Sequence, residues 1–449
     1  MTSIRARAVL FACLFILVAT MAGVRDALAQ APAAGEKWAA TWAASPHGPY
    51  PSGNPSAQPD LSLALPANTA RDQTFRMMVR PDLWGRAVRI RLTNVLGSSP
   101  ITFDDVFVGL QAMGGNVATG TNRPATFGGQ RSVTIAAGAS TYSDPIALPF
   151  VTSAADPLLA GRRLAISFHV AGPTGPMTWH AKALTTSYLS QPGSGSHGRE
   201  ESDAAFPFTT TSWYFVDAVD VVAPASTVVI ACFGDSITDG TASTLNGDDR
   251  WPDVFSRRVH AQYGTRVSVV NAGIGGNRVV GPASYSPAAP SSGGPSALDR
   301  LDRDVLGLSG LTSVIWFEGI NDIANGTTSD DIAAGMRTGV ARMRARGVAK
   351  VFAATVTPTL GSSSAHGTPA ADETRRRVNT FMRESKTFDG VFDFDAVTID
   401  AATGGLRAMF QPNSTTGGAG DKLHPNRAGY QAMGAAVDLS LLAPLFEKK

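Results

Sequence analysis

Four short stretches of this chain carry the side chains that acyl transfer needs. Gly234-Asp235-Ser236 directly follows the apolar run Val228–Phe233, so the serine hydroxyl would project from a strand end, with Gly234 letting the backbone turn sharply beneath it. A serine is a poor nucleophile until a base takes its proton. Among the seven histidines only His424 has a carboxylate, Asp421, three residues earlier in a loop bounded by Gly and Pro. That carboxylate can hold the imidazole in place. The tetrahedral intermediate also needs donors for its oxyanion. Asn271–Gly276 offers the bare N–H of Gly276, Glu318–Asp322 offers the amide of Asn321, and Ser236 offers its own N–H. Taken singly, Ser236 and Asn321 also read as helix caps, Gly276 as a tight turn, and Asp421 with His424 as a polar loop. Read singly, they leave the order and placement of the four stretches unexplained.

Other reactive residue types read as structural. Asp235, Asp239 and Asp322 sit beside glycine turns and helix starts, where carboxylates accept local hydrogen bonds. His180 and His260 read as satisfied structural or surface histidines, while His47, His197 and His366 lie in Gly/Ser/Pro-rich loops with nothing to pair them. Cys232 lies in the apolar run Val228–Phe233, where a buried, inert thiol is expected, and Cys13 is the one other cysteine. No His or Cys spacing fits a zinc site, so neither a metal nor a cofactor is expected.

Two grammars of hydrophobic spacing position these residues. From Val228 onward, short β-branched or aromatic runs (Val228–Phe233, Val267–Val270, Ser313–Phe317, Val351–Val356, Val391–Phe394) alternate with helical patterns. One helix is capped by Thr328 or Ser329, carries Ile332, Met336, Val340 and Met343 on one face, and closes at Gly347. Another begins at Pro252 and ends at Gly264. This spacing predicts an α/β fold whose reactive loops follow the carboxyl ends of parallel strands. Before it, apolar positions 88, 90 and 92, and again Leu164, Ile166, Phe168 and Val170, alternate with polar ones. Ile101–Leu110, Ser132–Ile135 and Trp213–Val222 read as further strands, and no helix is legible, which predicts a β-sandwich or jelly roll. The expected domains are residues 38–223 and 227–446, with separate cores joined by Pro224-Ala225-Ser226 and a self-sufficient second half. Trp42, Trp84, Trp179 and Trp213 should mostly be core.

The blocks at 234–236, 271–276, 319–322 and 421–425 occur in order, and with them the second half, roughly Val228 to Leu445, resembles the SGNH hydrolases, or GDSL family of lipases and esterases. The resemblance implies a flavodoxin-like parallel sheet, with Ser236 as nucleophile, His424 as base and Asp421 as its orienter. It also implies an oxyanion hole of Ser236, Gly276 and Asn321, and picks Gly276, which ends the glycine block, over Gly273 and Gly275. No Gly-x-Ser-x-Gly elbow is present, unlike the common α/β-hydrolases. The front half resembles, in architecture only, the jelly-roll modules of some SGNH carbohydrate esterases.

Composition narrows the partners. With 449 residues, 43% hydrophobic and 16% charged, the chain buries a substantial core. Lys+Arg 38 against Asp+Glu 36 leaves +2, no basic surplus for nucleic acid. Arg5 and Arg7 before the apolar run Val9–Ala19, and then Ala27-Leu28-Ala29, read as a Sec-type signal peptide over residues 1–29. The run is too short for a stable membrane anchor, and a secreted or periplasmic protein is expected. Its removal takes away Arg5, Arg7, Arg25 and Asp26 and leaves a formally neutral chain. The polar loop Gly281–Pro295, with Tyr285, is expected to border the site, and no apolar lid is visible. These features favour hydrolysis of short acyl, above all acetyl, esters on carbohydrate. A lysophospholipase or arylesterase with the same triad is one alternative, and a glycan-binding protein with a vestigial hydrolase half is another.

Overall fold

The computed structural model describes residues 31–447. The expected signal peptide, residues 1–29, lies outside these residues, and among them no helix is long and apolar enough to cross a membrane.

The front region is built from largely antiparallel sheets. Strands β1 (Glu36–Ala43), β2 (Gln73–Val79), β3 (Ala87–Thr93), β4 (Ile101–Leu110), β5 (Leu164–Val170) and β6 (Val216–Pro224) are its longest. β6 lies between β1 and β3 in one sheet, and β5 lies between β2 and β4 in another. Period-two alternation gives each sheet an apolar face, and the two share an interior in which Phe75, Phe103 and Phe168 meet Phe215 at ring distances of 5.3 to 6.2 Å. The run expected as one strand, Trp213–Val222, is broken at Phe215. Its φ of 57° lies in the left-handed region, so the pairing is interrupted there before β6 begins. The four tryptophans named above are buried.

The second region holds five parallel strands, β7 (Val228–Gly234), β8 (Val267–Gly273), β9 (Leu311–Phe317), β10 (Lys350–Ala354) and β11 (Gly390–Phe392), in the order β8-β7-β9-β10-β11. This is the flavodoxin-like arrangement, with the chain reversing its direction of winding on either side of β7. Helices follow the anticipated signals. α2 (Trp251–Tyr263) has Pro252 in its first turn and Gly264 after its end, and α5 (Ser329–Ala345) is capped by the Thr328 side chain. The last strand is shorter than its apolar run, because the Asp393 side chain caps a new helix, α7 (Phe394–Thr398), and takes Phe394 with it.

Alternate residues of β7 feed two cores. Val228, Ile230 and Cys232 pack with α2 and the C-terminal helix, α8 (Arg427–Ala436). Val229, Ala231 and Phe233 join a larger cluster that also contains the front region's apolar interior. The expected separate cores are therefore continuous. The backbone shares in the junction: β1 shifts register between Ala40 and Trp42, and Ala40 N–H bonds Ser309 O at 2.9 Å while its carbonyl accepts from Ser268 Oγ at 2.7 Å.

Candidate active site

Register aligns the functional loops. Gly234 pairs with Gly273 on one side and Phe317 on the other, so the loops after β7, β8 and β9 leave the sheet at one level. Only glycine fits at 234, because a Cβ would stand 2.2 Å from Phe317 O and 2.3 Å from Thr238 Oγ1. Asp235 then caps the short helix α1 (Ser236–Asp239) by accepting from Ile237 N–H at 2.9 Å, which sets Ser236 at the helix start.

Ser236 Oγ lies 2.8 Å from His424 Nε2, and His424 Nδ1 lies 2.6 Å from Asp421 Oδ2. The loop before α8 fixes the carboxylate: Asp421 Oδ1 accepts from the N–H groups of Leu423 and His424 at 2.9 and 2.8 Å. Partial burial raises the Asp421 carboxyl, but the bond to and charge of His424 and those two N–H groups outweigh it and hold it below the usual carboxylate range. An ionised Asp421 on Nδ1 keeps Nε2 free to accept the serine proton.

The three glycines of the second block differ in what their N–H groups do. Gly273 donates to Asn271 Oδ1 and Gly275 to Asp239 Oδ2, each at 2.9 Å, whereas Gly276, at φ 81°, donates to no group among the described residues. Asn321 stands on the short helix α4 (Ile320–Ala324), and its Nδ2 donates to the carbonyl of Asn277, next to Gly276, at 2.9 Å. One amide hydrogen is spent there and the second is left for another acceptor. The structure thus brings Ser236, His424 and Asp421 into one hydrogen-bonded line and couples Asn321 to the residue after Gly276.

Beneath this surface lie buried carboxyls. Burial pushes Asp235 up to about 7 and Glu318 up to about 8, in keeping with one unpartnered oxygen on each, Oδ2 and Oε1. Asp322 is raised to about 6 by burial, against the Val279 and Val280 N–H groups that it accepts. Asp235 accepts within its own turn, as anticipated, whereas Asp239 and Asp322 accept from the N–H groups of Gly275 and of Val279 and Val280, remote in sequence, and Glu318 accepts from Trp316 Nε1.

Several supporting residues were not legible in the sequence. Arg300, fully buried, donates to Gly234 O, Ala272 O and Asn277 Oδ1 at 2.8, 2.9 and 2.7 Å, and pairs with Asp304 at 3.2 Å. From the front region, His180 Nε2 lies 3.1 Å from Asp239 Oδ1, so it supports the carboxylate that holds Gly275. The histidines expected to lack partners have them: His47 Nε2 donates to Gly275 O at 3.1 Å, His197 faces Glu200 at 2.8 Å, and His366 Nε2 lies 3.1 Å from Asn321 Oδ1. Asn54 packs so closely on the block that a Cβ on Gly275 would stand 2.3 Å from its Oδ1. His197 and Glu200, and Arg300 and Asp304, are neighbours in sequence, but the other supporting partners are remote, as far as 255 positions between Arg300 and Ser45, and no local pattern signals such a contact. The loop Gly281–Pro295 returns to the site through Gly293 O and Pro295 O, both accepting from Asn277 Nδ2 at 2.7 Å.

Residues 232–432 match the model of the GDSL-like lipase/acylhydrolase family. That part of the chain is a GDSL-type hydrolase domain, an ester hydrolase of the serine-dependent SGNH class. Solved structures similar to it include an aryl esterase of M. smegmatis (20% identity, 48% of this chain and 99% of that one, TM-score 0.36). Others are a carbohydrate acetylesterase family member from Sinorhizobium meliloti (14%, 49% and 99%, 0.36) and a putative arylesterase from Agrobacterium tumefaciens (22%, 49% and 97%, 0.35). No curated protein matches the chain.

Proposed function

We propose that this protein is an exported esterase that removes short acyl groups, acetyl above all, from carbohydrate hydroxyls, with Ser236 as nucleophile. Ser236 Oγ attacks the ester carbonyl as His424 Nε2 takes its proton, and Asp421 stabilises the resulting imidazolium. The oxyanion receives N–H groups from Ser236 and Gly276 and the free Nδ2 hydrogen of Asn321. Collapse breaks the bond to the sugar oxygen, which takes the proton back from His424. Water then repeats the sequence on the acyl-serine and releases the acid.

The reading is carried by the 2.8 Å contact between Ser236 Oγ and His424 Nε2, itself anchored on Asp421. A small polar substrate is supported by the Gly/Pro/Ser-rich loop beside Gly276 and by the scarcity of exposed apolar groups: among the described residues after 226, Met409 is the one large apolar side chain strongly exposed. Export rests on the leader composition alone.

The test is a panel of acetylated sugars, p-nitrophenyl esters of increasing chain length and lysophospholipids, ranked by kcat/KM, with Ser236→Ala as the blank. Sugar acetates should rank first, and a folded Ser236→Ala should be inert. Preference for aryl acetates or for lysophospholipids transfers the assignment to those substrates, and an inert wild-type protein marks the domain as vestigial.

A further inference from the structure

His366 has no place in the triad, yet it touches the proposed oxyanion hole. It lies in the turn Ala365–Gly367, between β10 and α6 (Pro369–Glu384). Its Nε2 is 3.1 Å from Asn321 Oδ1 and its Nδ1 is 2.9 Å from Ser364 Oγ. An amide oxygen only accepts, so Nε2 carries the hydrogen, and in the neutral ring Nδ1 then accepts from the Ser364 hydroxyl. Partial burial first, and the neighbouring charge of His424 second, lower the pKa of His366 and favour that neutral ring, while Asp421 opposes them.

Asn321 is thereby held at both ends of its amide: Oδ1 accepts from His366 and Nδ2 donates to Asn277 O at 2.9 Å. Rotating the amide by half a turn would set Oδ1 against a carbonyl and Nδ2 against a donor, and would turn an acceptor toward the developing oxyanion. We propose that His366 is a positioning residue that holds the Asn321 amide so that its free Nδ2 hydrogen points into the oxyanion hole. This rests on Asn321 acting as an oxyanion donor.

The experiment compares His366→Phe and His366→Gln, each alone and combined with Asn321→Ala, in hydrolysis of p-nitrophenyl acetate by the full chain, with folding checked by circular dichroism. Alone, His366→Phe should lower kcat about tenfold with KM nearly unchanged, because the lost order acts on the transition state. His366→Gln, which can return an N–H donor to Oδ1, should recover most of that loss. In the Asn321→Ala background His366→Phe should cost nothing more. An equal further loss there would show that His366 acts through another group, and an unimpaired His366→Phe would likewise overturn the proposal. If Asn321→Ala alone leaves kcat intact, the oxyanion role itself fails and this inference falls with it.

Discussion

The front sheets and the parallel sheet both support the Gly275 turn and contribute different things to the site. The parallel-sheet region delivers Ser236, Gly276 and Asn321 after strand ends, held by register and by glycines that admit close backbone approach, and Asp421 and His424 from the loop before α8. The front region delivers support: His47 on Gly275 O, His180 on the carboxylate that holds Gly275 N, and Asn54 against Gly275. The same junction is sealed by apolar packing and by charges, with Arg80 on Asp253 at 2.8 Å and Asp82 accepting from both His260 and Val269 N. The proposed catalytic groups thus lie in one region, while the turn that carries Gly276 is braced by both. A region that holds no catalytic residue can still set the geometry of the site.

Removing the front region tests this most severely. A chain beginning at Ala225 would uncover the apolar cluster around Val270 and Ala272 and would lose every support on Gly275 from that side. The expected outcome is aggregation or a broadened melting transition, with turnover of p-nitrophenyl acetate reduced by about a thousandfold or more. A folded fragment with near-normal turnover on that ester would instead make the front region an accessory.

Asn321→Ala is next in size and isolates the contribution of the parallel sheet. It should lower kcat by about a hundredfold or more with little change in KM, since its donor acts on charge that develops in the transition state. A change confined to KM would remove it from the oxyanion hole.

His180→Leu makes the corresponding change from the front. Asp239 would keep the Gly275 N–H on Oδ2, with Lys182 and Arg250 nearby, but lose the imidazole on Oδ1, an expected cost of about 2–4 kcal/mol in stability, read by denaturant titration. As the acceptor of Gly275 N drifts, kcat should fall by about tenfold. A loss of stability with kcat unchanged would show that the front region supports the fold alone.

Legibility in the sequence followed the same division. The α/β half could be read because its signals are local: Thr328 and Gly347 bound a helix, and Gly234-Asp235-Ser236 compresses a strand end, a cap and a hydroxyl into three residues. The front strands were legible from alternation, although the break at Phe215 was not, because an aromatic residue carries no turn signal. His180 was read as a satisfied structural histidine, but its partner was not legible, and Arg300, His47 and His366 remained unread, since each acts on a partner far away along the chain and a single buried polar residue has no period. The shared core was hidden for a related reason: alternation reveals that a face is apolar, not which neighbour covers it.

The last expected effect is a dependence of stability on pH carried by one front-region side chain, small at any one pH step. Burial, reinforced by the nearby charge of His180, pushes His47 down to about 3, so the ring is neutral in the folded protein and its Nε2 donates to Gly275 O. In the unfolded chain a histidine titrates near 6.5, as an unperturbed one does. Between these values the unfolded state binds the extra proton, so the stability associated with His47 is complete above about 6.5 and is lost progressively as pH falls toward 3. One proton limits the slope to about 1.4 kcal/mol per pH unit, roughly 1–2 °C in melting temperature for a protein of this size. Asp235 and Glu318 act in the opposite sense: their raised values favour the folded state at low pH and withdraw that support as pH rises toward 7 and 8. A raw melting profile therefore mixes both signs, and the informative quantity is the difference from His47→Gln, which keeps an amide donor but cannot be protonated. Below pH 6.5 the variant should lose stability less steeply than the wild type, with the two curves nearly parallel above it. Parallel curves throughout would mean that His47 does not stay neutral against Gly275 as acid is added, and that its brace on the glycine turn contributes no acid sensitivity.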